Sequence, residues 1–420
     1  MGYTSRGVTV KDNLNTWWEA ARRGRSVVTS VVAGEKAFSV ELSCIPNTYR
    51  VNDWGAAVRL LSARKNNCSL RPSCRVVDMA AELAAGEIPS DVIYEEEFIM
   101  NSRGLQLFTC RWLPANREAK ALIFLCHGYG MECSIFMQDT GVRLAKAGYA
   151  VFGIDYEGHG KSAGMHGYVK SFQNLVDDCA VFFTRIAEKE EYKKKARFLY
   201  GESMGGAVLL LIHRKQPNFW SGAVLVAPMC KIADDLKPHP LVISILNKLI
   251  HIIPTWKIVP TQDIVSVAFK DPEKRQWIRA NPYIYEGRPR LKTGFELLMT
   301  SIDIEKRLDE VTLPFMVLHG EDDKVTDPSV SELLYSSAKS LDKTLKLYPD
   351  MWHGLTCGEP PEHTELVFSD IISWLDKRST ARSPDQNIST QKSNNKYVAV
   401  SMTDEIERKL ANDNVFSSER

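Results

Sequence analysis

The chain has 420 residues, 44% hydrophobic and 25% charged, an ordinary globular composition long enough for one large core with accessories or for two domains. Its 53 basic side chains balance 52 acidic ones, so no global field favours nucleic acid or an anionic membrane, and any membrane contact has to be local and apolar. The nine cysteines are scattered without a C-x-x-C pair. Cys110, Cys126 and Cys179 sit in apolar runs and read as small buried hydrophobes.

Residues 1–92 show no clean strand–helix alternation and are expected to be an N-terminal extension without an assigned role. The first thirty are rich in arginine (Arg6, Arg22, Arg23, Arg25), a faint likeness to a transit peptide that leaves organelle targeting open. They contain no apolar h-region, so a secretory signal is not expected. Met1-Gly2 opens like a myristoylation site, but Arg6 stands where Ser or Thr is required. A cytoplasmic, reducing environment follows, with any membrane association peripheral.

From Glu95 the texture changes. Phe98-Ile99-Met100, a turn signal at Asn101-Ser102-Arg103-Gly104 and the run 105–112 predict an antiparallel hairpin. Short apolar runs follow at 121–126, 150–154, 196–200, 222–226, 314–318 and 344–348, separated by helical stretches. Continuous apolar strands alternating with helices predict an α/β fold with a mostly parallel sheet covered on both faces. That core spans 93–228 and 300–378, closing on a helix over 361–378 that ends at Lys377-Arg378. Residues 229–299 are too long for a plain loop and predict a helical cap over the carboxyl ends of the strands. Residues 379–420, rich in Ser, Thr, Asn, Gln and Asp, predict a disordered tail.

The pattern G-x-S-x-G occurs at Gly201-Glu202-Ser203-Met204-Gly205 and again at Gly160-Lys161-Ser162-Ala163-Gly164. A nucleophile elbow needs a strand before it and a helix after it, so that a sharp turn lifts the hydroxyl clear of the sheet. Ser203 follows Arg197-Phe198-Leu199-Tyr200 and precedes Gly206-Ala207-Val208-Leu209-Leu210-Leu211, a good helix core. Ser162 lies in a glycine-dense loop with no helix directly after it and reads as a turn residue. Ser203 is the candidate nucleophile.

Serine needs an adjacent base, and after an elbow of this kind an acid and then a histidine are expected in that order. Four acids compete after the strand 314–318: Glu321, Asp322, Asp323 and Asp327. Spacing does not choose among them. The histidine slot after 344–348 holds His353, since His363 already lies on the final helix. Negative charge developing on a carbonyl oxygen calls for backbone donors, each worth roughly 3 kcal/mol of barrier. The amide of Met204 supplies one. The loop His127-Gly128-Tyr129-Gly130 supplies the other, assigned to Tyr129.

These residues together resemble the plant monoacylglycerol lipase group of the α/β-hydrolase superfamily, whose relatives include caffeoylshikimate esterase and lysophospholipase-type enzymes. The likeness covers about residues 93–378. It rests on Cys126-His127-Gly128-Tyr129-Gly130, Asp155-Tyr156-Glu157-Gly158-His159-Gly160-Lys161-Ser162, Gly201-Glu202-Ser203-Met204-Gly205-Gly206, the run from His319 to Asp327, and Met351-Trp352-His353-Gly354. The resemblance implies an α/β-hydrolase fold, places the acid on Asp323 and treats the Ser162 loop as structural. One departure concerns the alcohol end of the substrate: animal monoacylglycerol lipases carry Glu and Arg after the HG motif, where this chain has Met131 and Ile135.

Within the cap, Leu241 to Ile253 predicts a helix whose apolar arc covers over half the wheel, too short to span a bilayer. Plain burial against the core is the default for this face; beyond that, Ile245 and Leu249 are expected to line a lipophilic entrance, with membrane-surface contact as the other use. The expected function is hydrolysis of lipid carboxylic esters, foremost monoacylglycerol, through an acyl-enzyme on Ser203, without metal or organic cofactor. The alternatives are caffeoylshikimate esterase or lysophospholipase activity on the same residues, or a small-molecule receptor on the same fold.

Overall fold

The computed structural model describes residues 27–33 and 36–42 as backbone, and 86–231 and 238–379 in full. The arginine-rich leader and the tail from residue 380 lie outside the described residues. The chain divides into two compact units, Met1–Leu83 and Ala84–Arg420. In the first, β1 (Val27–Ala33) and β2 (Lys36–Leu42) form an antiparallel hairpin with Ala33 paired to Lys36. This hairpin was not expected from the sequence. The β-branched run VVTSVVA suits extended backbone.

The second unit is built on eight strands: β3 (Val92–Met100), β4 (Gln106–Pro114), β5 (Leu122–Cys126), β6 (Ala150–Ile154), β7 (Arg197–Glu202), β8 (Gly222–Val226), β9 (Phe315–Gly320) and β10 (Lys343–Tyr348). They lie in the order β10-β9-β8-β7-β5-β6-β4-β3. The pairings among β5 to β10 are parallel, while β4 joins β6 and β3 joins β4 antiparallel. The hairpin expected near residue 98 is therefore present but starts at Val92. Glu95, Glu96 and Glu97 are exposed on this strand and mask it in the sequence, although charges are what a sheet-edge strand tolerates.

Helices α1 (Gln138–Lys146), α2 (Phe172–Ala187) and α3 (Met204–Lys215) follow β5, β6 and β7. The insertion after β8 holds α4 (Pro240–Leu249), α5 (Ile264–Ala268) and α6 (Pro272–Ala280), and α7 (Leu291–Glu305) returns the chain towards β9. Helix α8 (Pro328–Ser337) joins β9 to β10, and α9 (Pro361–Ser379) closes the unit. Strand side chains alternate between two cores because successive residues point to opposite faces. Leu122, Phe124 and Cys126 of β5 pack with residues of α2 and α3, whereas Ile123 and Leu125 pack with residues of α1 and α9. Every position of β5, β6 and β8 is buried, which accounts for their unbroken apolar sequences.

Two expectations about the insertion shift. The helix expected over 241–253 runs from Pro240 to Leu249, and the chain continues through turns towards Pro254. Helix α7 begins inside the span assigned to the cap yet packs on the core: Glu296 accepts from the Phe172 amide at 2.7 Å and Asp303 pairs with Arg214 of α3. Its first residues are held by the insertion, with Leu291 N donating to Trp256 O at 2.8 Å and Lys292 N to Pro254 O at 3.0 Å. Loops after β5, β7, β9 and β10 converge at the carboxyl edge of the sheet, where ligands bind in open α/β folds.

Candidate active site

Ser203 sits between β7 and α3 with φ 52° and ψ −116°, a conformation that costs a side-chain-bearing residue about 1–3 kcal/mol. Its amide donates to Val226 O at 3.0 Å, while its carbonyl accepts from Gly206 N and Met229 N at 2.9 Å each. The turn closes because strand and helix nearly touch. A Cβ on Gly205 would lie 1.9 Å from Cys126 O, and one on Gly201 would lie 2.5 Å from Gly205 O. Ser162, the other match to the pattern, donates to Asp155 O at 2.6 Å and accepts from Phe108 N at 2.8 Å, tying its turn to the sheet.

The Asp323 side chain is wholly buried and the His353 side chain is 10% exposed. His353 Nδ1 lies 2.7 Å from Asp323 Oδ2. Thr326 Oγ1 donates to the same oxygen at 2.9 Å, and its position is 3.1 Å from His353 Nδ1. The other oxygen, Oδ1, accepts from the amides of Val325 and Thr326 at 2.7 and 3.0 Å. Burial by itself would raise the Asp323 pKa, but the His353 and His319 imidazoles outweigh it and hold the carboxyl well below the carboxylate range. Of the competing acids, Glu321 and Asp322 are exposed, and Asp327 caps α8 by accepting from Ser329 N at 2.9 Å. Asp323 is the one that meets the imidazole.

The loop after β5 lies against the serine: a Cβ on Gly128 would stand 3.6 Å from Ser203 Cβ. His127 anchors this loop from beneath, accepting from the Tyr156 amide at 3.3 Å with Nδ1 2.8 Å from Gly128 O. Burial drives its pKa far down, so the ring is neutral. The Tyr129 hydroxyl points away, to Gly167 O at 2.8 Å, which leaves the Tyr129 backbone beside the cleft. Met204 N–H opens α3, where helix amides have no intrahelical acceptor.

Ser203, Asp323, His353, Tyr129 and Met204 all line one cleft of about 560 Å³. Its apolar walls are Met131, Phe136, Val226, Met229 and Val325 from the core and Ile264, Ala268 and Phe269 from the insertion. Met131 is thus in the cleft, whereas Ile135 is buried outside its lining. Ile245 and Leu249, expected at the entrance, are not there: Ile245 is 57% exposed, and no residue of α4 is buried. Helical periodicity identifies an apolar face but not the direction in which the helix is docked. Among the described residues no cluster of three or more His, Cys, Asp or Glu side chains could hold a metal ion.

Three partners of these residues escaped the sequence reading. His319 Nε2 approaches Asp323 Oδ2 at 3.0 Å, while its Nδ1 is 2.7 Å from Ser331 Oγ. Thr326 stands between acid and imidazole. Glu202, beside the serine, accepts from Tyr200 Oη at 2.8 Å and from Thr356 Oγ1 at 2.9 Å, joining the elbow to the His353 loop. Burial raises its pKa above the ordinary glutamate value. The His319–Asp323 spacing of four was a usable signal; nothing local pointed to Thr356.

The profile of the family described as "Serine aminopeptidase, S33" matches residues 117–361. The chain is 36% identical over 300 residues to caffeoylshikimate esterase of Arabidopsis thaliana, covering 70% of this chain and 90% of that protein. It is 30% identical to monoglyceride lipase of Mus musculus, covering 70% of this chain and 94% of the relative. Its fold matches a soluble variant of monoglyceride lipase from Saccharomyces cerevisiae, solved with a substrate analogue, at a TM-score of 0.62 and 21% identity over 70% of this chain and 99% of that one. By sequence and by fold, the chain belongs to the serine aminopeptidase S33 family of the α/β-hydrolase superfamily and is a carboxylic ester hydrolase.

Proposed function

We propose that the chain hydrolyses lipid monoesters, foremost monoacylglycerol, through an acyl-enzyme on Ser203. The observation that carries this reading is the His353–Asp323 pair at 2.7 Å, which lines the same largely apolar cleft as Ser203. Asp323 holds the proton of His353 on Nδ1 and so leaves Nε2 as the base. His353 takes the proton of Ser203 as the hydroxyl attacks the ester carbonyl, and the amides of Tyr129 and Met204 stabilise the oxyanion. His353 then returns the proton to the departing alcohol, and water frees the acid by the same steps in reverse. The apolar walls suit an acyl chain, and the mouse and yeast relatives are named as monoglyceride lipases.

A phenolic ester of an acidic alcohol is the second reading. It is favoured by the 36% identity to caffeoylshikimate esterase and by Lys324 on the cleft wall, a cation that suits a carboxylate. Purified protein assayed side by side on 2-monoacylglycerol, lysophosphatidylcholine and caffeoylshikimate decides between them. Highest kcat/KM on 2-monoacylglycerol supports the first reading, and highest on caffeoylshikimate replaces it. A burst of p-nitrophenol from a short ester, abolished by Ser203→Ala, tests the acyl-enzyme; a burst that survives refutes it.

We also propose that the outward face of the cap seats this enzyme on a lipid surface. Leu241, Val242 and Ile245 of α4 are exposed, as are Ile252, Trp256 and Ile258 beyond it, an apolar patch of the kind that marks contact sites. No helix among the described residues is long and apolar enough to cross a membrane. Leu241→Ser with Ile245→Ser is expected to abolish co-sedimentation with phosphatidylcholine vesicles. Unchanged co-sedimentation would refute this use of the face.

A further inference from the structure

Glu132 lies two residues beyond Gly130, and its side chain is completely buried without a cationic partner among its hydrogen bonds. Such a carboxylate is tolerable only if donors surround it. Ser134 Oγ donates to it at 2.6 Å, the amide of Phe136 at 2.6 Å and that of Ile135 at 3.0 Å. The last donor comes from 149 positions away: Asn281 Nδ2, at the end of α6 in the cap, lies 2.8 Å from Glu132 Oε1. Asn281 is itself 3% exposed, and its Oδ1 accepts from Tyr283 N at 3.0 Å, which fixes the amide orientation. Four residues on, Tyr285 N donates to Gly130 O at 2.8 Å. The segment 281–285 therefore grips the loop after β5 at two points on either side of Met131. From within the core, Asp155 Oδ1 accepts from Cys133 N at 2.8 Å.

We propose that Asn281 is a positioning residue for the oxyanion loop: by holding Glu132 it lets the cap set where the Tyr129 amide points. The proposal rests on the reading that this amide meets the oxyanion of an acyl-enzyme reaction. Capping the Ile135 and Phe136 amides needs no group from the cap, so the long-range donor has to be explained by what it adds. It adds a fixed distance between cap and loop. A donor that acts on charge present only in the transition state is sensitive to small displacements that leave ground-state binding unchanged.

The test uses the full chain with Asn281→Leu, which removes the donor, and a p-nitrophenyl ester. The expected result is a fall in kcat of about tenfold to a hundredfold, part of what losing a whole oxyanion donor costs, with KM within about twofold of wild type. Affinity for a trifluoromethyl ketone, which forms an oxyanion on Ser203, is expected to fall by the same factor. Affinity for a non-hydrolysable alkyl glycerol ether is expected to stay constant. Unchanged kcat and ketone affinity would overturn the proposal. So would equal losses for ketone and ether, which would make Asn281 part of the binding wall.

Asn281→Asp is the second variant, of the same size and able to keep the bond from Tyr283 N. Its carboxyl can donate to Glu132 only while the new side chain itself carries a proton. The ratio of variant to wild-type kcat should therefore fall as pH rises. The other groups that bear electrostatically on Glu132 (Asp155, Tyr94, Cys110 and Cys133) are common to both proteins. A pH-independent ratio refutes the positioning role. If Ser203→Ala retains wild-type turnover, the underlying acyl-enzyme reading fails instead, whatever the Asn281 variants do.

Discussion

Replacing Asp323 by Asn should silence the enzyme while leaving its fold and substrate binding intact. Oδ1 of Asp323 is held by two backbone donors, Val325 N at 2.7 Å and Thr326 N at 3.0 Å. In Asp323→Asn those donors fix the amide oxygen on their own side. The amide nitrogen must then occupy the place of Oδ2, 2.7 Å from His353 Nδ1. A donor now faces Nδ1, which can respond only by becoming an acceptor, and the ring proton moves to Nε2. The imidazole then presents N–H to Ser203 and has no lone pair with which to take its proton. In a triad of this design the wrong tautomer lowers kcat about 10⁴-fold, equivalent to roughly 5.5 kcal/mol of barrier. The assay is steady-state hydrolysis of a p-nitrophenyl ester with KM measured alongside. KM should stay within about threefold, because the carboxylate itself is not part of the apolar wall. Asp322→Asn, on an exposed neighbour, should keep wild-type kcat. An Asp323→Asn enzyme that retains more than about a tenth of wild-type kcat would refute the tautomer argument.

Ser162→Ala should lower stability by about 1–3 kcal/mol, because the Phe108 amide loses its acceptor. Its kcat should match wild type, and a loss of turnover would revive Ser162 as a nucleophile. Glu202→Gln tests the raised Glu202 pKa. A folded-state value above the unfolded one gives stability that is present below the unfolded value, near pH 4.3, and lost as pH rises through the folded value. Gln keeps an acceptor for Tyr200 and Thr356 but cannot ionise, so thermal melts should show Tm raised at pH 8 and the gain gone by about pH 4. A gain independent of pH would contradict the burial argument. Ile264→Ser, on the cap wall of the cleft and 39% exposed, should cut kcat/KM for long-chain esters about tenfold and spare acetyl esters. Ile245→Ser should do neither with monomeric substrates, and the reverse pattern would return α4 to the cleft.

The strand–turn–helix reading around Ser203 matches β7 and α3 because every cue was local: apolar strand, glycines and helix core are contiguous. The succession of β5 to β9 was equally legible, since a strand covered on both faces must be apolar throughout. The glutamate-rich start of β3 was not, because an edge strand needs no such pattern. His353 could be placed by its slot before the last helix. Choosing Asp323 from four neighbouring acids required either the family likeness or the folded loop, because all four share the same sequence surroundings.

Local patterning thus determined the sheet, the elbow and the candidates. Tertiary structure alone decided which way the cap faces and which side chains meet across long separations. Asn281 reaches Glu132, Thr356 reaches Glu202, and α4 turns Ile245 outward rather than into the cleft. The physical reason is that periodicity records which residues share a face. What that face packs against depends on how segments far apart in the chain satisfy one another's hydrogen bonds and apolar surface.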